Sequence, residues 1–241
     1  VTLTVADKHH WSPIPSVMVW LTKQIGPSAK VLEVGPGHAP FERADAFVDF
    51  VDVPAVAPRP LYKCDMGSQP LPFRDKSFDF IFCRHTLEDM YNPFPLCAEM
   101  SRVGKAGYIE TPSPIAELCR GVDGNAPPYR GYHHHRYMAW EHAGELRFVS
   151  KYPLVEYLKF DEGQLAQLLR LGPKYWNTYY LWEDRINVKH RQSPLDFDIP
   201  RDYGAMLVDA AHQAVASADE FFGRGIDAHS PKIVNLKPAY A

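Results

Sequence analysis

Apolar residues in the first half of the chain fall into short runs separated by glycine, proline and charge. Ile14 to Ile25 carries Val17, Val19, Trp20, Leu21 and Ile25 in a helical pattern. Pro15 suits an early helical position and Gly26-Pro27 ends the run. Lys30 to Val34 is a brief apolar run before a glycine turn, which predicts a buried strand. Ala46 to Val53, Leu61 to Cys64 and Ser77 to Cys83 predict three further strands. Pro95 to Val103 is helical in pattern, and Gly107 to Thr111 predicts a fifth strand stopped by Pro112. Strands alternating with helices imply a mostly parallel sheet flanked by helices, with right-handed crossovers.

The pattern changes after residue 115. Tyr137 to Tyr152 predicts a hairpin around His142-Ala143-Gly144-Glu145, with Leu146, Phe148 and Val149 in the return strand. Leu154 to Leu171 predicts helix over most of its length. Asn177 to His190 predicts two strands meeting near Glu183-Asp184. Tyr203 to Phe222 predicts an amphipathic helix with Leu207, Ala211, Val215 and Ala218 on one face. The tail from Gly223 has no pattern. The expected organisation is one domain over 1–241: an N-terminal helix or lid (1–27), a core (28–115), and a β-hairpin and helical cap with the final strands (116–241).

Composition narrows the function classes. The 241 residues carry a net charge of −3 and 46% hydrophobic residues, a globular content without the basic balance of a nucleic-acid binder. No apolar run approaches the roughly 18 residues of a membrane span. Val1 to Trp11 holds Asp7, His9 and His10 and no apolar stretch, so no signal peptide is expected. Cys64, Cys83, Cys97 and Cys119 form no C-x-x-C pair, which predicts reduced thiols and a cytoplasmic protein.

The chemistry-bearing pattern begins at Val31-Leu32-Glu33-Val34-Gly35-Pro36-Gly37. A strand ending in such a turn brings backbone close to a ligand across the sheet edge. Gly35 and Gly37 present no Cβ to it. A dinucleotide fingerprint calls for a third glycine where Pro40 stands. Glu33 can hold an amino-acid ammonium and repels a diphosphate. The second strand ends in Asp49 and Asp52, either of which can take ribose hydroxyls. Asp49 stands 12 residues after Gly37, against about 20 in a dinucleotide fold, so the intervening helix is very short or missing. Asp65, after the third strand, can accept an adenine amino group, and Met66 offers polarizable packing.

These motifs, with Leu71-Pro72-Phe73, Ser77 to Asp89 and Arg102 to Pro114, resemble the class I methyltransferases that use S-adenosylmethionine (SAM), particularly the small bacterial type. The resemblance covers about residues 28 to 115 and implies a Rossmann-like α/β fold with SAM as cofactor. It implies that Gly35 and Gly37, with Pro36 between them, line methionine. It further implies that Asp49 takes ribose, that Asp65 and Met66 take adenine, and that His85 follows the fourth strand near the sulfonium. Where many relatives have a second histidine, this chain has Asp89.

The resemblance is nearly silent on the acceptor. Substrate is expected above the fourth and fifth strands. Candidates there are His85, Glu88, Glu110, the segment Tyr129 to Trp140, Asn177 to Tyr180, and a possible lid at His9-His10-Trp11. In Tyr132-His133-His134-His135-Arg136, His134 and its neighbours are candidates for a base. On a strand, His133 and His135 would point the same way, but two ligands are too few for a metal, and none is expected. Tyr179 and Tyr180 are candidates for an aromatic wall around a cation. Asn/Asp-Pro-Pro-Tyr, the motif of nucleic-acid amino methyltransferases, is missing, so no nucleic-acid or membrane partner is expected. Three functions stay open. One is methyl transfer to a small molecule. Another is cyclisation of SAM itself to azetidine-2-carboxylate with release of methylthioadenosine. The third is SAM binding without turnover.

Overall fold

The computed structural model describes residues 13–123, 129–191, 198–221 and 239–240. The expected lid at His9-His10-Trp11 lies outside these residues, as does nearly all of the tail from Gly223. Among the described residues no helix is long and apolar enough to cross a membrane. The chain divides into two compact units, Pro15–Thr111 with Tyr179–Val188, and Val1–Ile14 with Pro112–Thr178 and Lys189–Ala241. Residues 179–188, from the segment expected to hold the final strands, group with the first unit.

The first unit opens with α1 (Pro15–Gln24), β1 (Val31–Val34), β2 (Ala46–Asp49), β3 (Leu61–Lys63) and β4 (Phe78–Arg84). It continues through α2 (Phe94–Val103) to β5 (Gly104–Pro112). All four residues of β1 and of β2 are buried, as expected for strands covered on both faces of a parallel sheet. β1 pairs in parallel with β2 on one side and β4 on the other. β2 pairs with β3, and β4 with β5, also in parallel. This is the α/β Rossmann-like fold of the class I methyltransferases. Strand order reverses at β1, and its carboxyl end is where such a sheet opens a crevice.

No helix links β1 to β2, in keeping with the short spacing in the sequence. Side chains hold this connection instead. Phe41 is buried and stacks on Phe82 of β4, ring centroids 4.4 Å apart. The Arg59 guanidinium donates to the carbonyls of Phe41, Glu42 and Ala44. Arg43 does the same for Gly26, Pro27 and Ala29. The Phe41, Glu42 and Ala44 carbonyls, which a helix would have paired internally, are thereby satisfied, and Arg43 ties the connection to the turn before β1.

The second unit begins with α3 (Pro114–Leu118), whose N-terminus is capped by Ser113 accepting from the Ala116 amide at 3.1 Å. β6 (Tyr137–His142) and β7 (Glu145–Ser150) form the expected hairpin. Its turn residues Ala143 and Gly144 both have positive φ, 53° and 76°, which matches the right-handed twist of the strands. The helix expected over Leu154–Leu171 is broken. A 3-10 turn at Pro153–Tyr157 and a short β8 (Leu158–Lys159) precede α4 (Glu162–Arg170). Asp161 restarts the helix by accepting from the Gln164 amide at 3.0 Å.

The two strands expected over Asn177–His190 exist but are not partners. β9 (Asn177–Glu183) extends the parallel core, giving the order β3-β2-β1-β4-β5-β9, whereas β10 (Val188–Arg191) joins β7 and β6. Trp182 of β9 fits over Gly107 of β5, where an added Cβ would stand 2.7 Å from the indole. A long α5 (Ile199–Phe221) turns Tyr203, Met206, Leu207, Ala210 and Ala211 into its unit's core, at the spacing of one helical face. The side chains of Val215 and Ala218 are outside the description. β11 (Ala239–Tyr240) pairs antiparallel with β8.

Candidate active site

The carboxyl ends of β1, β2 and β4 are flush, because Val34 pairs with both Val48 and Cys83. The turns that follow surround a cavity of about 570 Å³, within the roughly 300–1,000 Å³ of small-molecule sites. Of the residues expected against the cofactor, Gly35, Gly37, Asp49, Asp65, Met66 and His85 line it. Glu33 and Pro36 are not on its wall.

Each wall residue is placed by local structure. Gly35 and Gly37 have φ of 68° and 52°, a region costly for residues with a Cβ. A side chain at Gly35 would run into Thr86, while one at Gly37 would meet nothing within 4 Å. Gly37 therefore leaves space that backbone borders directly. Asp49 is buried, and its Oδ1 accepts from the amides of Phe50 and Val51 at 2.7 and 3.2 Å. This turn ends β2 earlier than the expected Val53 and fixes the carboxylate at the wall. Among the described residues Oδ2 accepts nothing, so it is available to a ligand hydroxyl. Asp52 instead pairs with Lys63 on the surface at 3.0 Å. Asp65 Oδ1 accepts from the Gly67 amide at 3.1 Å, and Met66 is buried beside it.

Glu33 is buried behind the turn, and its Oε2 accepts from the Phe41 amide at 2.8 Å. Burial pushes its carboxyl up to about 7, against the lowering effect of that amide and of Arg84 and Arg59. In this structure Glu33 ties the helix-less connection to β1.

His85 begins the turn after β4 with φ 49°. Its amide donates to Glu110 O at 2.9 Å. Its Nδ1 lies 3.3 Å from Glu88 Oε1. Its Nε2 lies 3.3 Å from Glu110 Oε1, close enough for an ion pair but not aligned as a hydrogen bond. Both glutamates are buried. Burial alone would lower the imidazole's affinity for a proton, but the carboxylates of Glu110 and Glu88 outweigh it and raise its pKa to about 9. Burial works to raise Glu110, yet His85, Arg84 and the Tyr108 hydroxyl, which donates at 2.6 Å, hold it low. Both ring nitrogens thus face protein carboxylates, which favour the charged form of the ring.

Tyr179 and Tyr180 are buried on β9 and do not line the cavity. Tyr179 is the last ring of a stack running Phe41, Phe82, Tyr108, Tyr179 across the sheet. The Tyr180 hydroxyl accepts from the Asn187 amide at 3.2 Å. The aromatics on the cavity wall are Phe50 and Tyr91, both exposed. Sequence reasoning did not single them out, nor Thr86, Met90 and Asn92. The available signal was position, since each follows a strand that ends at the crevice. His134 belongs to the second unit, where His133 and His134 sit in an exposed turn rather than on a strand.

This cradle lies on a sheet that reverses order at β1, in the arrangement of the class I methyltransferase fold. Residues 29–109, the segment that builds the cradle, match the methyltransferase-domain family. Among solved structures the chain is similar to the YcgJ protein of Bacillus subtilis, at 21% identity over 41% of this chain and 50% of that one, TM-score 0.34. It is also similar to a SAM dependent methyltransferase from Aquifex aeolicus, at 19% identity over 41% and 66%, TM-score 0.34. A third likeness is to a SAM dependent methyltransferase from Mesorhizobium loti, at 17% identity over 44% and 56%, TM-score 0.36. The chain spans about half to two thirds of the length of these structures. No curated protein matches it. S-adenosylmethionine is the cofactor that the matched domain brings to this cradle. The residues fit it: Gly37 leaves open space, Asp49 keeps an uncommitted oxygen, and Met66 offers a polarizable side.

Proposed function

We propose that the chain transfers the methyl group of SAM to a small-molecule acceptor held at the mouth of the cavity. The observation that carries this reading is the cradle itself, with Gly37 backbone and the uncommitted Asp49 oxygen on one wall and His85 on another. Bound SAM supplies a methyl group already activated by the sulfonium. The protein's task is then mainly alignment, and proximity can account for much of the rate. Asp49, Asp65 and Asp89 on the wall favour a cationic ligand by simple attraction. His85, held protonated by Glu88 and Glu110, does not remove a proton from the acceptor at neutral pH. The acceptor's nucleophile must therefore arrive unprotonated or give its proton to water or to a wall carboxylate. Phe50 and Tyr91, exposed at the wall, suit an acceptor with an apolar or flat surface. The net charge of −3 supports a small molecule over nucleic acid.

The test is to incubate pure protein with SAM alone and then with a panel of amines, phenols, thiols and carboxylic acids. SAM bound but unchanged alone, with S-adenosylhomocysteine formed only when one acceptor is added, is the expected result. Methylthioadenosine formed from SAM alone would overturn the reading in favour of cyclisation. Binding without turnover across the panel would favour a non-catalytic role.

A further inference from the structure

We propose that Asp123, His133 and His134 form a binding site for a divalent transition-metal ion of the zinc class. The sequence shows three consecutive histidines, His133, His134 and His135, with no acidic residue beside them. The fold supplies one from ten residues upstream. Residues 119–121 pair with 129–131 through an Arg120–Arg130 bridge, with Gly121 N donating to Tyr129 O and Gly131 N to Cys119 O. This brings Asp123 Oδ2 to 2.8 Å from His133 Nδ1. One donor atom from each of Asp123, His133 and His134 lies within 4.8 Å of the others. Donors on a tetrahedral zinc stand about 3.3 Å apart, given bonds of about 2.0–2.2 Å. Small rotations of the exposed His133 and His134 side chains about the half-buried Asp123 close the difference.

The turn that carries the histidines is anchored beneath. The buried Arg130 guanidinium donates to the carbonyls of Leu118, Val155 and Leu158. Lys151 donates to the carbonyls of Arg130 and Tyr132. His135, next in the chain, is drawn inward by Glu117 at 2.6 Å. His133 and His134 are thus left outside a fixed base, their ring centroids 5.2 Å apart. A supported base of this kind holds donors in place before an ion arrives. Two imidazoles and one carboxylate suit zinc and its neighbours better than magnesium or calcium, which prefer oxygen. Three protein donors leave a fourth position for water or another ligand.

The test titrates the full-length, tag-free protein with zinc against a chromophoric chelator. The expected result is saturable uptake of one ion per chain. His133→Ala and His134→Ala should each weaken it by at least about tenfold, the scale of losses at metal sites. Asp123→Asn, which keeps the shape and removes the charge, should do the same. His142→Ala, whose ring pairs with Asp209 at 3.2 Å, is the control and should bind as the parent. Circular dichroism of each variant confirms folding. No saturable uptake by the parent, or parent-like affinity in either His133→Ala or His134→Ala, would overturn the proposal.

Discussion

Replacing His85 by Asn tests whether the cavity wall rests on a permanent imidazolium. Asn tolerates the positive φ of 49° at this position better than Ala does, so the change removes the charge with little backbone strain. The rise in His85 pKa from 6.5 to about 9 corresponds to about 3 kcal/mol at about 1.36 kcal/mol per unit. This agrees with the about 3–5 kcal/mol typical of leaving one partner of a buried ion pair alone. Because the folded pKa is raised, the contribution is fully present below 6.5 and is lost as pH rises through about 9. Urea unfolding of parent and His85→Asn at pH 6 and pH 10 reads it directly. The parent should be more stable by about 3 kcal/mol at pH 6, and the gap should nearly close at pH 10. Glu33 and other titrating groups are common to both proteins and largely cancel. A gap that stays constant with pH, or a His85 ring that titrates near 6.5 by NMR, would refute the argument.

Glu33→Gln keeps an acceptor for the Phe41 amide and removes a carboxyl whose ionisation costs stability as pH rises from 4.5 through about 7. Thermal melts should show the variant more stable than the parent at pH 8 and not at pH 5, with SAM affinity by calorimetry changed by less than about threefold. Gly37→Val should abolish detectable SAM binding, since its side chain enters the cavity, and should cost about 1–2 kcal/mol through the strained φ of 52°. Asp49→Asn should keep the turn at the end of β2 and weaken SAM binding at least tenfold, whereas a parent-like Kd would remove Asp49 from the site. Glu117→Gln leaves Lys151, 2.7 Å away, uncompensated in the core and should cost about 3–5 kcal/mol at pH 7. Lys151 and His135 hold Glu117 down to about 2 despite its burial. In the parent that stabilisation should hold above pH 4.5 and fade as pH falls towards 2, as an acid-unfolding curve would show.

Local signals sufficed where local physics decides the outcome. The runs at Val31–Val34, Ala46–Asp49 and Phe78–Arg84 are apolar because both faces of a parallel sheet are covered, and a run bounded by Gly, Pro or Asp reads as a strand. The short step from Gly37 to Asp49 leaves no room for a helix, and none forms. The hairpin at His142–Glu145 follows from Ala143-Gly144, since Gly144 takes a positive φ freely. Pairing over distance was not legible. Asn177–Glu183 and Val188–Arg191 are adjacent in sequence with strand patterns, so a hairpin was the simplest expectation. Their separation depends on Trp182 fitting over Gly107, a complementarity that no window around residue 182 contains. Likewise, Pro153 and the Asp161 cap break a helix that its apolar content alone would have continued.

The same division runs through the site. Gly35, Gly37, Asp49 and Asp65 were legible because each ends a strand at the crevice, and that position is fixed by topology. The state of His85 was not, because it depends on Glu88 and Glu110, and Glu110 lies 25 residues further along on another strand. A histidine after β4 reads only as a candidate site residue when its type alone is known. Two buried carboxylates favour its charged form, and only the fold brings both of them to the ring. The expectation that His133 and His135 offer too few ligands for a metal was limited in the same way. Spacing along the chain is a sound guide to ligands only within one helix or strand, and Asp123 reaches its histidine through the pairing of residues 119–121 with 129–131. Charge and coordination are properties of a neighbourhood in space, and they become readable only after the backbone has closed.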